Sequence, residues 1–204
     1  MIESRIQGIF STPIYFSNIN RDFSKKELSF IDKNKLHFEK NEGNILSKDN
    51  YVLDKKEFKN LKEELNLIVK DYFNKIICSN NNISPYITQS WLNFTEEAQY
   101  HHKHAHPNSL LSGVLYINAD EKFDKINFYR DEYRFFKFDT KEWNTFNSDI
   151  WWFPIKTAEV ILFPSSLIHS VDIKKGKNIR TSLAFNVFIK GNIGKSSDLT
   201  ELNL

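Results

Sequence analysis

Four of the six histidines in this 204-residue chain lie within six positions, in the sequence HHKHAH at residues 101–106. Alternate side chains of an extended strand share a face. We therefore expect His102, His104 and His106 to point one way and His101 to point the other way, into solvent. Two imidazoles at i and i+2 can bind one cation, but a single strand cannot surround it. The spacing indicates part of a metal site, although histidine-rich stretches also occur at surfaces without any such role.

A further ligand is available in ILFPSSLIHSV, where His169 follows a predicted turn about sixty residues after the cluster. Taken alone, a histidine in such a segment is more typical of a buried, hydrogen-bonded core residue. Together with two histidines of the cluster, it would complete a set of three ligands drawn from separate strands. Such a set leaves coordination positions open, as a catalytic metal requires.

Arg180 begins the segment RTSLAFNVF, eleven residues after His169. Strand alternation places Arg180, Ser182 and Asn186 on one face, which is otherwise small and polar. A guanidinium on such a face can bind a carboxylate through two parallel hydrogen bonds, and the serine can add a third. The alternative is a structural ion pair with one of the 26 acidic residues.

The N-terminal part of the chain predicts helices. Ser24 and Glu27 predict a capping box at the start of a short helix. Asp54 and Glu57 predict a second capping box at the start of a longer helix. In this second helix apolar residues recur at intervals of three and four, which predicts a face packed on the core. These residues are Phe58, Leu61, Leu65, Ile68, Tyr72 and Ile76.

After residue 85 the pattern changes to short runs of aromatic and β-branched residues separated by polar turns, which is typical of strands. A further strand is predicted over 5–16. The other predicted strands cover 86–94, 110–117, 125–130, 133–138, 158–163, 167–173 and 180–189. Many short strands and two helices predict a mainly β fold, a sandwich or barrel with the helices packed outside it.

Composition excludes several classes of protein. The net charge is +2 and the lysines are scattered among acidic residues, so no nucleic-acid partner is indicated. No run of about 18 apolar residues predicts a membrane span. The single cysteine, Cys78, cannot form an intramolecular disulfide and is expected to be a buried, inert thiol. We find no N-terminal signal sequence and expect a cytoplasmic protein.

Three segments carry a resemblance to a known family: QSWLNFTEEAQYHHKHAHPNSLLSGVLYI, ILFPSSLIHSV and RTSLAFNVFIKGNIG. Their order and motifs resemble the Fe(II)/2-oxoglutarate-dependent oxygenases of the HxHPNS…SGV…Y type, which occur in bacteria and in phages. For a phage member the expected location is the host cytoplasm. The resemblance implies a double-stranded β-helix, the jelly-roll, cupin-like core, at residues 86–190 of one domain spanning 1–204. Residues 1–85 would pack on this core, and 191–204 would form a tail.

The resemblance also implies roles for individual residues. Iron would be bound by His104, His106 and His169, the middle one standing where the family usually has a carboxylate. Three neutral imidazoles would leave the ion with its full charge of +2. His102 with His104 is a competing choice for the first two ligands.

The far carboxylate of 2-oxoglutarate would be held by Arg180 and Ser182, with Asn93 and Tyr116 facing the same cavity. The implied cofactors are Fe(II), 2-oxoglutarate and O2. The implied reaction is oxidative decarboxylation of 2-oxoglutarate coupled to hydroxylation of a substrate, either a small molecule or a peptide.

The aromatic segment 131–153 is expected to recognise the substrate, or alternatively to form a lid or a contact in a homodimer. Two other functions stay open. One is a three-histidine, cupin-like metalloenzyme that does not use 2-oxoglutarate, and the other is a non-catalytic jelly-roll binding protein.

Overall fold

The computed structural model describes residues 2–131 and 135–204. Its helices are Lys25–Lys35 (α1) and Lys59–Tyr72 (α2), the latter extended by a π turn at Phe73–Ile77. The first strands are Tyr15–Asn18 (β1), Phe38–Lys40 (β2), Ile45–Ser47 (β3), Ile83–Thr95 (β4), His101–His104 (β5) and Leu111–Asn118 (β6). They are followed by Lys125–Tyr129 (β7), Ile150–Pro154 (β8), Glu159–Pro164 (β9), His169–Val171 (β10), Arg180–Ile193 (β11) and Leu202–Asn203 (β12).

The strands form two antiparallel sheets. The larger sheet has the order β1-β9-β6-β11-β4-β3-β2, with β12 paired to β11, and the smaller has the order β5-β10-β7-β8. An apolar cluster that includes Ile126 and Phe128 of the smaller sheet and Ile161 and Phe163 of the larger one joins the two sheets. This arrangement confirms the predicted mainly β fold with a double-stranded β-helix core.

The helices cover the outer face of the larger sheet. The side chain of Ser24 accepts from the backbone N–H of Glu27, and the Glu27 carboxylate accepts from the backbone N–H of Ser24, so the predicted capping box is present. The apolar face of α2 is buried through Leu61 and Leu65. The second capping box is wrong, because the chain takes two short 3-10 turns after residue 51 and α2 begins only at Lys59, without a side-chain cap.

The long strand β11 separates the two faces of the larger sheet. Leu183, Phe185 and Val187 lie in the core shared with the helices, so the intervening residues face the smaller sheet. Gly113 of β6 lies against Phe185, and a Cβ at this position would lie 2.2 Å from the phenyl Cζ. The glycine of the SGV motif is therefore explained by the packing of this ring.

Some local predictions are wrong. In the segment 5–16 only Tyr15 and Phe16 belong to a strand. Of the strand predicted at 133–138, residues 133 and 134 lie outside the described residues, and 135–138 form no strand. The strand β8 was not predicted. Cys78 is exposed rather than buried.

None of the helices in the described part of the chain is both long enough and apolar enough to cross a membrane.

Candidate metal centre

Three histidines converge between β5, β10 and the turn that follows β5. His104 of β5 lies opposite His169 of β10 in the antiparallel register. His106 follows the end of β5, and its backbone N–H donates to the carbonyl of Ser165 at 2.9 Å. One ligand nitrogen from each of His104, His106 and His169 lies within 4.8 Å of the other two. The fold thus places the predicted ligand pair beside the predicted distal histidine.

The hydrogen bonds of the three rings leave the Nε2 atoms available. His104 Nδ1 lies 2.8 Å from the carbonyl oxygen of His102, and His169 Nδ1 lies 3.1 Å from that of Leu167. A carbonyl oxygen only accepts, so each of these Nδ1 atoms carries the proton and each Nε2 carries a lone pair. This is the arrangement found in metal-binding histidines, where the second nitrogen is fixed by an oxygen acceptor.

A chain of serines fixes the tautomer of His106. Ser109 donates to the carbonyl of Leu111, and Ser165 donates to Ser109 at 2.8 Å. The hydroxyl of Ser112, 2.8 Å from Ser165, must then donate to it, so Ser112 can only accept from His106 Nδ1 at 3.1 Å. The side-chain oxygen of Asn186 is a second acceptor for His106 Nδ1, at 2.6 Å.

The residues present fit a metal ion. His104 Nε2 and His106 Nε2 lie 3.1 Å apart, although both carry lone pairs and so repel each other without a cation. Two nitrogens bound at ~2.1 Å to one metal, with a right angle between the bonds, are about 3.0 Å apart. The observed separation is therefore the one that a shared ion would require.

Burial keeps the three imidazoles neutral. Desolvation is the main cause that lowers the pKa of His104 to about 4, with the neighbouring His106 adding to the effect. Burial, and then His104, lowers the pKa of His169 to about 3. Burial also lowers the pKa of His106. At neutral pH the lone pairs are free for a metal, and protons compete for them only in acid.

The expectation that His101 points into solvent is wrong. A register irregularity in the pairing with β10 lies between His104 and His101, and the His101 ring stacks on that of His104, with centroids 4.6 Å apart. Burial, and then the neighbouring imidazoles, lowers the pKa of His101 to about 2. His102 also lies beside His104, with ring centroids 4.7 Å apart.

The predicted anion-binding residues lie in one row across three strands. Ser182 of β11 is opposite Asn93 of β4 and Tyr116 of β6, and residues directly opposite each other share a face. All three are buried, and Asn93 Oδ1 makes no hydrogen bond with any described residue. Arg180, also buried, donates from Nη2 to Thr95 Oγ1 at 3.0 Å. Ser182, Asn93 and Tyr116 thus form one row of polar side chains, and Arg180 lies two residues away along β11 on the same face.

Two residues beside Arg180 were missed by the sequence analysis. Asp124 Oδ1 lies 3.8 Å from Arg180 Nη1 and accepts from Lys174 Nζ at 3.1 Å. Both Asp124 and Lys174 are buried. Two cations facing one carboxylate leave a net charge of +1. No signal distinguishes Lys174 in the sequence, because it lies in a lysine-rich turn that is typical of a solvated loop.

A cavity of about 760 Å³ opens at the histidines. Trp91 lines it, with its ring centroid 5.6 Å from that of His106. Within the described part of the chain, the lining contains no Asp, Glu, Lys or Arg, and it includes Asn41, Gln89 and Phe188. The segment 131–153 contributes none of the described lining residues, so its predicted role in substrate recognition stays a prediction.

Comparison with known proteins identifies the family. Residues 89–186 match the profile of a family described as "Putative 2OG-Fe(II) oxygenase". This segment, just under half of the chain, is similar to the 2OG-Fe(II) oxygenase family. The matched segment contains the three converging histidines, together with Arg180 and Ser182. The family predicted from sequence is confirmed, and with it an enzyme whose class uses Fe(II), 2-oxoglutarate and O2.

Solved structures of 2OG-Fe(II) oxygenases share the fold. A member of this family from Burkholderia pseudomallei is 14% identical, with a TM-score of 0.55 over 85% of this chain and 83% of that one. A prolyl hydroxylase from Trichoplax adhaerens, in complex with a hypoxia-inducible-factor peptide, is 13% identical, with a TM-score of 0.60 over 86% and 83%. HygX from Streptomyces hygroscopicus, with nickel, 2-oxoglutarate and hygromycin B bound, is 10% identical, with a TM-score of 0.57 over 86% and 82%. No curated protein sequence matches significantly.

Proposed function

We propose that the chain is a hydroxylase that couples the oxidative decarboxylation of 2-oxoglutarate to the oxidation of an organic substrate. His104, His106 and His169 would hold Fe(II). The observation that carries the proposal is the convergence of one ligand nitrogen from each of the three histidines, together with the oxygen acceptor that fixes the Nδ1 atom of each ring. A metal-binding histidine needs an acceptor that fixes its second nitrogen, so that the first nitrogen presents its lone pair to the ion. A histidine that only packs in the core does not need its lone pair directed towards other histidines.

The far carboxylate of 2-oxoglutarate is proposed to bind Arg180 and Ser182. The net charge of +1 on Arg180, Lys174 and Asp124 matches one carboxylate. Tyr116 would add a neutral hydrogen-bond donor, since burial raises the pKa of its phenol. Asn93, whose Oδ1 is unsatisfied within the described residues, would complete the same row from β4.

When bound, iron and the keto acid would supply the oxidising power: O2 oxidises a substrate C–H to C–OH, while 2-oxoglutarate loses CO2 and becomes succinate. The chain's own residues bind, orient and exclude water. Burial of His169 shields one side of the site, and the Ser112 and Asn186 acceptors hold the His106 ring in one orientation. Trp91 is proposed to position an uncharged small molecule or peptidyl segment beside the histidines.

The second candidate is a three-histidine metalloenzyme that does not use 2-oxoglutarate. The observation that favours it is the position of Asp124, 3.8 Å from Arg180, since a permanent acidic partner would satisfy the guanidinium. The two candidates differ in whether Arg180 serves an external anion.

Calorimetric titration of 2-oxoglutarate into the Mn²⁺-loaded protein without oxygen separates them. The proposal predicts one binding site per chain, weakened at least ~30-fold in Arg180→Ala, because truncating one partner of a buried, hydrogen-bonded charge pair costs about 2–5 kcal/mol. Arg5→Ala, at an exposed arginine, is the matched control and should bind as the unaltered chain does. Equal binding by Arg180→Ala would refute the role of 2-oxoglutarate.

Release of succinate in the presence of O2 then tests turnover. A non-catalytic protein would release none. If anaerobic Fe(II) titration also showed no stoichiometric site that depends on His104 and His169, the metal assignment would be wrong.

A further inference from the structure

A second set of histidine nitrogens lies beside the proposed iron ligands. His101, His102 and His104 each offer one nitrogen, and the three atoms lie within 4.8 Å of one another. The rings of His101 and His102 both lie against that of His104, with centroids 4.6 and 4.7 Å away. The proposed function assigns no task to His101 or His102.

Two nitrogens of this second set are poorly satisfied. His102 Nδ1 is buried and has no hydrogen-bond partner among residues 2–131 and 135–204. His101 Nε2 lies 3.4 Å from Asn41 Nδ2, which is a long hydrogen bond. A buried polar atom without a partner costs about 1–3 kcal/mol, and a cation bound by His102 Nδ1 would remove that cost.

The rings of the second set lie at the wall of the cavity. His101, His102 and His104 are half-buried, and all three line the cavity of about 760 Å³. An ion can therefore reach them from solvent through the same opening that serves the proposed iron site.

The donor chemistry selects the kind of ion. Three imidazoles without a carboxylate suit borderline cations such as Zn²⁺, Ni²⁺ and Co²⁺, whereas Mg²⁺ and Ca²⁺ prefer oxygen ligands. His104 belongs to both sets, but its Nδ1 is already bonded to the carbonyl of His102. Its single free nitrogen can serve only one ion at a time.

We propose that His101, His102 and His104 form an outer site for a borderline divalent cation, and that this site competes for His104 with the set that includes His106 and His169. A Zn²⁺, Ni²⁺ or Co²⁺ ion held there withdraws His104 from iron. The outer site is a property of the chain that does not depend on the oxygenase reaction.

Co²⁺ binding, followed by calorimetry and visible absorption without oxygen, tests the outer site directly. The variant His106→Ala/His169→Ala lacks two ligands of the proposed iron site and keeps the outer three. We expect it to bind one Co²⁺ per chain. Adding His101→Ala and His102→Ala should weaken Co²⁺ binding at least ~10-fold. Loss of a residue that only hydrogen-bonds to a metal ligand already weakens metal binding by about this factor, and these two changes remove ligands.

His37→Ala in the same double-variant background is the matched control, because His37 is exposed and lies outside the cluster. It should leave Co²⁺ binding unchanged. The proposal is overturned if the double variant binds no Co²⁺, or if its binding survives the loss of His101 and His102.

Should the double variant fail to fold, as judged by circular dichroism, His169→Ala alone provides the background. The same dependence on His101 and His102 is expected there. The converse variant, His101→Ala/His102→Ala, tests the proposed iron site separately: failure of that variant to bind Fe(II) would refute the iron assignment and not the outer site.

Discussion

Replacement of Asn186 by alanine tests whether the hydrogen bond to His106 prepares a metal ligand. Asn186 Oδ1 accepts from His106 Nδ1 at 2.6 Å, which directs the Nε2 lone pair towards the other histidines. In Asn186→Ala the remaining acceptor is the hydroxyl of Ser112, at 3.1 Å. The preferred tautomer is retained, but the ring is held less firmly.

The size of the effect follows from this arrangement. Loss of an outer hydrogen-bond partner typically weakens metal binding 10–100-fold. Because Ser112 still accepts from the same nitrogen, we expect the lower end, about 10-fold or ~1.4 kcal/mol. Asn186→Asp keeps an acceptor at this position and adds a negative charge, so it should bind the metal at least as tightly as the unaltered chain.

The assay is calorimetric titration of Mn²⁺ at pH 7.5, in the His101→Ala/His102→Ala background so that the proposed outer site cannot take up the ion. Asn192→Ala, at an exposed position of the same strand, is the control for general effects on β11. Unchanged affinity in Asn186→Ala, or weaker binding in Asn186→Asp, would refute the assignment of His106 as a ligand oriented by Asn186.

Three further predictions concern stability. Asp124→Asn leaves two buried cations without their carboxylate and should lower the free energy of unfolding by about 3–5 kcal/mol in urea titrations; a loss below ~1 kcal/mol would contradict the buried pairing. In the metal-free protein His104 and His169 have pKa values lowered from 6.5 to about 4 and about 3, so the unfolded chain takes up protons first on acidification. The free energy of unfolding should therefore fall from about pH 6.5 towards pH 4, by at most ~1.4 kcal/mol per pH unit for each histidine. A melting temperature that stays constant over this pH range would contradict this prediction. Gly113→Ala places a Cβ 2.2 Å from the ring of Phe185 and should cost about 1–3 kcal/mol, whereas an unchanged melting temperature would show that the ring can move.

The sequence predicts those parts of the fold in which a regular strand or helix repeats its pattern over many residues. The alternation along β11 placed Arg180, Ser182 and Asn186 on one face, and the three- and four-residue spacing of apolar residues located the buried face of α2. The capping box at Ser24 was readable because both of its partners are local. These features depend on neighbours in the chain.

The misplaced features depend on irregular backbone or on distant contacts. Strict alternation along the strand predicts that His101 points into solvent, whereas the pairing of β5 with β10 is irregular at this point. Asp124 and Lys174 are fifty residues apart, and neither has a local pattern that marks it as buried. The serine chain that fixes His106 likewise brings Ser165 to Ser109 and Ser112 only after folding.

A crystal structure of the protein grown without oxygen, with Mn²⁺ and 2-oxoglutarate, tests the central claim most directly. We expect the Nε2 atoms of His104, His106 and His169 at about 2.2 Å from the ion, and the far carboxylate against Arg180 and Ser182. An ion bound without His169, or a carboxylate placed away from Arg180, would contradict the account.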